Sequence, residues 1–301
     1  MRFNIHMERF RSLGWKHFAV ALLAVVFIAG CKKDKEDAIP GYILIPGYEI
    51  KNTGVGPFPQ QAIVNMWVYA DGELRGAFPL NKPIPILFNG ATELTIFPGV
   101  KVNGSIETPD IYPFLKPFKI TRQLTATKVD TINPVFEFQS NVYMDLNENF
   151  EISTSFNHYT ETDTTIKLTI TTDEASTGSG SGVITLTPTK NFFHVSNGIP
   201  LTSLNVKSAN PIWVEFEYKN DMPVVFGISS QSSSSASPAF NDYIYLYPKS
   251  EWNKVYFNLS TFLNEIGEGS FRLYFYSQYD TNIGGDTQHF RIDNVRLIRF
   301  I

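Results

Sequence analysis

Four short runs of this sequence put hydrogen-bonding side chains and aromatic rings on every second residue. In DYIYLYP, Ile244 and Leu246 share one face of an extended chain, and Tyr243, Tyr245 and Tyr247 share the other. In FRLYFYS, Phe271, Leu273 and Phe275 oppose Arg272, Tyr274 and Tyr276. In KVYFNLS, Val255, Phe257 and Leu259 oppose Tyr256 and Asn258. In PIWVEFEYK, Ile212, Val214, Phe216 and Tyr218 oppose Trp213, Glu215 and Glu217. Side chains alternate across a strand, so each run has one side fit for a core and one side of Tyr, Trp, Arg and Glu. Each Tyr or Trp ring on that second side combines apolar area with a polar tip. Sugar rings stack on such faces while Glu and Arg bind their hydroxyls, and protein partners use the same side chains. Two readings stay open: a face packed under a loop or against the N-terminal part of the chain, or an open surface for a glycan or a protein.

Residue patterns for catalysis are missing. GSGSG at 178–182 has glycine where a nucleophile elbow needs serine. Neither a phosphate loop nor a His-Glu-x-x-His helix occurs. His158, His194 and His289 are far apart and read as surface or structural histidines. Carboxylates are plentiful, yet nothing singles out the pair a glycosidase needs. DLNENFE, Asp145 to Glu151, offers the oxygen donors a hard cation prefers but lacks the glycine at the sixth position of an EF-hand loop. The expectation is a protein that is not an enzyme, with no catalytic residue, no cofactor and no assigned metal ligand. A formal net charge of −4 and the absence of a basic stripe argue against nucleic acid as a partner.

The chain's one cysteine, Cys31, stands where an apolar run stops and a charged run starts. Arg2, Arg9, Arg11 and Lys16 precede an unbroken apolar run, Phe18 to Ile28, followed by the small Ala29 and Gly30. These are the parts of a secretory signal peptide, and the run is shorter than the ~20 residues of an ordinary membrane span. With a single cysteine no disulfide forms within the chain, so packing must supply its stability. Ile28-Ala29-Gly30-Cys31 resembles the lipobox of bacterial lipoproteins. That resemblance implies cleavage before Cys31, acylation of its thiol and anchoring through buried acyl chains. The acidic residues within Lys32–Asp37 resemble the surface-export signal of Bacteroidota lipoproteins, which implies a cell-surface location on the outer membrane.

The elements behind these residues read as nearly all strand. Short alternating runs recur between turn signals, and no long 3.6-residue period is present. Residues 1–30 form the signal peptide and 31–41 a tether. Residues 42–130 hold a first strand near Tyr42–Ile45, a hairpin across Asp71-Gly72, a second turn at Asn89-Gly90 and a long strand in FKITRQLTATKV. This predicts a small antiparallel sandwich, transthyretin- or Ig-like. The pattern resets near Asp130–Pro134, and residues 135–301 carry about nine further strands. STFLNEIG predicts one short helix. Ser176–Gly182 and Ser229–Pro238 read as flexible loops. In the last run the apolar face flips across Asp293-Asn294, which one extra residue in the strand would explain.

The stretches WNKVYFNLS, FRLYFYS and FRIDNVRLI resemble the closing strands of the jelly-roll, galactose-binding-like sandwich found in many carbohydrate-binding modules. The resemblance implies glycan binding, and a structural calcium ion for which Asp293, in the IDNV position, can supply a ligand. NMWVYADGELRGAFPL and VNGSIETPDIYPF resemble an uncharacterised group of Bacteroidota surface lipoproteins associated with barrel assembly or export at the outer membrane. The sequence as a whole therefore implies an all-β, two-sandwich lipoprotein. Its first reading is a non-catalytic binding or scaffold subunit of an outer-membrane protein assembly or export complex. The alternative is a surface glycan-binding lipoprotein that serves polysaccharide capture and uptake.

Overall fold

The computed structural model describes residues 39–51, 61–88, 90–103, 109–160, 165–202, 204–207, 210–235 and 237–301. The expected signal peptide, Cys31, most of the tether and Asn89 of the second turn lie outside the described residues. Everything described is strand and loop apart from one helix, α1 (Ser260–Ile266), at the expected STFLNEIG. The protein is all-β.

The N-terminal unit contains β1 (Gly41–Leu44), β2 (Glu49–Lys51), β3 (Asn65–Ala70), β4 (Glu73–Pro79), β5 (Pro83–Ile86), β6 (Ala91–Lys101), β7 (Pro109–Ile111), β8 (Phe118–Gln123), β9 (Val129–Thr131) and β10 (Val135–Glu137). β4, β3, β6, β7 and β8 form one antiparallel sheet. Its β3–β4 hairpin turns at Asp71 and Gly72, both with positive φ, as a two-residue turn of this hand requires. A three-stranded sheet, β5-β1-β9, and the pair β10-β2 complete the unit. Two features depart from the expected antiparallel sandwich. β1–β9 and β2–β10 are parallel pairs. The expected long strand in FKITRQLTATKV is split into β8 and β9 around Thr127, whose φ is +63°. β10 pairs with β2, and Phe136 and Phe138 pack in the same core as the N-terminal sheets.

The C-terminal unit contains β11 (Val142–Glu148), β12 (Phe156–Tyr159), β13 (Thr169–Thr171), β14 (Ser181–Leu186), β15 (Phe192–Asn197), β16 (Ile212–Asn220), β17 (Val224–Gln231), β18 (Ala239–Leu246), β19 (Lys249–Asn258), β20 (Ser270–Gln278) and β21 (Gln288–Phe300). A six-stranded sheet runs β13-β14-β21-β16-β19, with β11 also on β21, and faces a five-stranded sheet, β12-β15-β20-β17-β18. Every pairing is antiparallel, and the chain crosses repeatedly between the sheets, as in a jelly roll. Between them lies a Phe-rich core that includes Phe193, Phe216, Phe226, Phe257, Phe275 and Phe290. The extra residue anticipated near Asp293-Asn294 is present. Glu215 and Glu217 of β16 face Arg296 and Asp293 of β21, a three-residue step against two, and Asn294 has a φ of +53°. Of the two stretches expected as flexible loops, Ser181-Gly182 belongs to β14 and Ser229–Gln231 completes β17.

Candidate functional site

The outer face of the five-stranded sheet is built around β20. Its alternation holds: Phe271, Leu273 and Phe275 are buried in the core, so Arg272, Tyr274 and Tyr276 point to the opposite face. β20 lies between β15 and β17, which puts that row in the middle of the sheet. Tyr274 is directly opposite Gly227. A Cβ at Gly227 would sit 2.3 Å from the Tyr274 ring and hydroxyl, so only glycine leaves room for the ring to cross β17. The Tyr274 hydroxyl then reaches β18 and donates to Asp242 Oδ1 at 2.7 Å. Tyr276 donates to the other oxygen, Oδ2, at 2.8 Å. His194 and Phe240 stand edge-on to Tyr274, at 5.0 and 5.5 Å between ring centroids, and leave it 1% exposed. Burial, reinforced by donation to Asp242, pushes the Tyr274 hydroxyl far above the ordinary phenol range and Tyr276 up to about 12. Both phenols stay protonated, and each donates to one oxygen of Asp242.

Two hollows flank this rigid centre. One, of about 230 Å³, lies at the Arg272 end of the row and is lined by His158, Ser196, Ser229, Gln231, Phe240 and Arg272 among others. The second, of about 330 Å³, lies at the Tyr276 end, with Val225, Tyr245, Ser277 and Gln278. Arg272 and Tyr276 are four residues apart, about 13 Å along a strand. The face offers partly exposed rings at Phe240, Tyr245 and Tyr276, and a set of hydroxyl, amide, imidazole and guanidinium groups around them. That combination can stack on a flat apolar surface and hydrogen-bond its edge.

The other expected face residues lie elsewhere. Trp213, Glu215, Glu217 and Tyr256 belong to the six-stranded sheet and are buried, so they are not an open surface. Trp213 and Tyr256 meet Tyr112 of the N-terminal unit edge-on, at 5.8 and 5.6 Å. Glu215 accepts the Tyr112 hydroxyl at 3.0 Å, Gln61 Nε2 at 3.3 Å and Arg296 Nη1 at 3.1 Å, with Lys254 Nζ at 3.7 Å. Burial by itself would raise this carboxyl, but Lys254 and Arg296 with the two hydrogen bonds hold it below the usual carboxylate range. Glu217 takes Lys254 Nζ at 3.2 Å and Asn294 Nδ2 at 3.1 Å. Packing against the N-terminal unit is thus what this half of the aromatic pattern does.

Tyr243 is displaced by a bulge. Phe226 pairs with Ile244 and the next residue, Gly227, with Asp242, so Tyr243 is the unpaired extra residue. It turns inward and packs on Phe226, Phe257 and Phe262. Tyr247, 70% exposed, lies past the end of β18 and lines an opening at the sandwich edge with Tyr218 and Lys249. Arg272, Tyr274, Tyr276 and Tyr245 remain on the face, Tyr274 as its buried foundation. Sequence reasoning missed His158, His194, Ser196, Ser229, Phe240 and Asp242. For His194 and Ser196 the signal was there: they alternate with Phe193 and Val195, which are buried in the core.

Asp293, the residue offered for calcium, is fully buried. Its Oδ2 accepts the N–H groups of Ser176 and Thr177, at 3.0 and 3.3 Å, and its Oδ1 has no partner among the described residues. Burial, with Glu217 nearby, raises its carboxyl to about 7. Among the described residues no three acidic, histidine or cysteine side chains converge to hold a metal. Calcium takes six to eight oxygens. Here one carboxylate oxygen is already occupied by N–H donors, and the Glu217 carboxylate is bound by Lys254 and Asn294. This donor set does not fit the ion.

No protein-family model and no curated protein matches the sequence. Solved structures do align with it. The CBM22-1 xylan-binding domain from Paenibacillus barcinonensis Xyn10C covers 54% of this chain and 97% of its own, at 16% identity and a TM-score of 0.37. A family 11 carbohydrate-binding module from Clostridium thermocellum, in complex with a β-1,3-1,4-mixed-linked tetrasaccharide, covers 52% and 94%, at 15% identity and a TM-score of 0.37. A family 30 carbohydrate-binding module covers 50% and 87%, at 13% identity and a TM-score of 0.38. At these scores the likeness adds nothing to the reading of the face, which rests on the residues described above.

Proposed function

We propose that this protein is a non-catalytic glycan-binding protein that captures a polysaccharide on the outer face of its five-stranded sheet. The observation that carries this reading is the open row on β20 and β18: exposed rings beside hydrogen-bonding groups, on a foundation locked by the Tyr274–Asp242–Tyr276 contacts. A rigid, pre-ordered surface loses little entropy when a ligand settles on it. Asp242 accepts two tyrosine hydroxyls, one on each oxygen, which holds the rings beneath the face in one arrangement. The acylated Cys31 and an outer-membrane, surface-facing location complete the proposal, because capture at the cell surface needs an anchor. Docking to subunits of an assembly or export complex has no described residue to favour it.

The test is affinity electrophoresis of the full chain in native gels containing polysaccharides. Retardation that weakens in Tyr245→Ala and Tyr276→Ala supports the proposal. Unchanged mobility in every polysaccharide, together with co-purification of a barrel-assembly protein in mild detergent, would replace it with the scaffold role. Palmitate labelling of wild type and of Cys31→Ser tests the anchor separately.

A further inference from the structure

We propose that the hollow around Arg272 selects an acidic glycan, seating a sugar carboxylate or sulfate on the guanidinium. This rests on the glycan-binding reading and specifies the class of ligand. Each of the other described arginines has a carboxylate within 4 Å: Arg75 with Glu73, Arg122 with Asp130, Arg291 with Glu174, Arg296 with Glu215 and Arg299 with Asp145. Arg272 has none among the described residues. Its Nη1 donates instead to two backbone carbonyls, Asn197 O and Gly198 O, which fixes the guanidinium in place. Its Nε and Nη2 make no hydrogen bond to any described residue, and that edge is the one that grips an anion in bidentate fashion.

The surroundings fit the same ligand. Arg272 is only partly exposed, so its charge pays for lost water without a counter-ion. The described lining of the hollow contains no Asp or Glu. Ser229 lies directly across from Arg272 on β17, and Gln231, whose Nε2 gives one N–H to Ser235 O, keeps a second N–H for an anionic oxygen. Burial and the adjacent guanidinium hold His158 below the ordinary histidine range, so at neutral pH it is an uncharged hydrogen-bonding group rather than a second cation. A neutral sugar would leave the arginine without a counter-charge, which is a basis for discrimination.

Affinity electrophoresis of the full chain in polygalacturonate, dextran sulfate and neutral xylan, each at low and high sodium chloride, tests this. The expected result is retention by an acidic polymer well above that by xylan, falling as salt screens the pair. Retention in polygalacturonate alone or dextran sulfate alone identifies the anion as carboxylate or sulfate. Arg272→Gln should weaken acidic-polymer affinity by about tenfold or more. Arg272 also braces Asn197 and Gly198, so Gln231→Glu provides a variant at an exposed position that keeps the arginine. It places a carboxylate in the hollow and should weaken acidic-polymer retention without a change in melting temperature. Retention by xylan equal to or above the acidic polymers overturns the acidic preference and leaves glycan binding standing. Acidic retention indifferent to both variants overturns the role of Arg272. No retention by any polymer ends the glycan reading and this inference with it.

Discussion

Gly227 and Tyr274 are matched across neighbouring strands, and the match sets how the face is built. Gly227→Ala brings a methyl group to within 2.3 Å of the tyrosine, so the ring must leave its place and release Asp242. Overpacking of this kind costs roughly 1–3 kcal/mol. A urea melt should show that loss, and glycan retention should fall with it. Tyr245, 57% exposed, is the contrasting residue: Tyr245→Ala should weaken retention and leave the melting temperature within about a degree. Asp293 gives a pH signature. Its folded-state value of about 7 lies above that of a free carboxyl, so the protonated form is the one that stabilises the fold. That contribution is complete below the ordinary carboxylate range and is lost as pH rises through about 7. Stability should therefore drop by roughly 2–3 kcal/mol between pH 5 and 7 and level off above that, and Asp293→Asn should flatten the drop. Equal slopes in wild type and variant would rule this out. At this scale the tyrosines of the face were legible from alternation, but the glycine that seats Tyr274 was not, because its role depends on a neighbour about fifty residues away.

Two strands show how a single extra residue redistributes side chains. In β21 the bulge at Asn294 lets Phe290 and Ile292 share the sandwich core with Val295 and Leu297, while Ile298 joins the N-terminal core and Arg296 reaches Glu215. Deleting Asn294 would leave Phe290, Ile292, Val295 and Leu297 on alternate positions of an unbulged strand, so their faces are kept and the hydrogen bonds of Asn294 to Glu217 and Thr177 are what is lost. The expected outcome is unfolding that stays cooperative, with near-ultraviolet circular dichroism retained and the midpoint of a urea melt lowered; loss of cooperativity would refute the reading of Asn294 as the extra residue. The β21 bulge could be read from sequence because apolar residues mark both sides of it. The β18 bulge at Tyr243 could not, since Phe240, Ile244 and Leu246 all fall on alternate positions and leave no break in the pattern. Likewise β8 and β9 look like one strand until Thr127 turns the chain.

Across the whole molecule, the two units share one buried interface rather than a linker. The N-terminal core includes Trp213, Tyr256 and Ile298 from the jelly roll, and Val102 bridges to Tyr256 in parallel. The charged centre of that interface makes a direct prediction. Removing one partner of a buried ion pair costs about 3–5 kcal/mol, so Glu215→Ala or Arg296→Ala should destabilise strongly. Calorimetry should show a single transition for both units in the wild type, and separate transitions there would refute the coupling. The sequence by itself determined that the chain is all-β, where most strands fall, and which side of each strand is amphipathic, because alternation and turn chemistry are local. It could not decide which amphipathic side meets solvent. Trp213 and Tyr276 look alike on that criterion, and only tertiary structure separates them. One strand lies in the sheet that the N-terminal unit covers, and the other in the sheet that it leaves open.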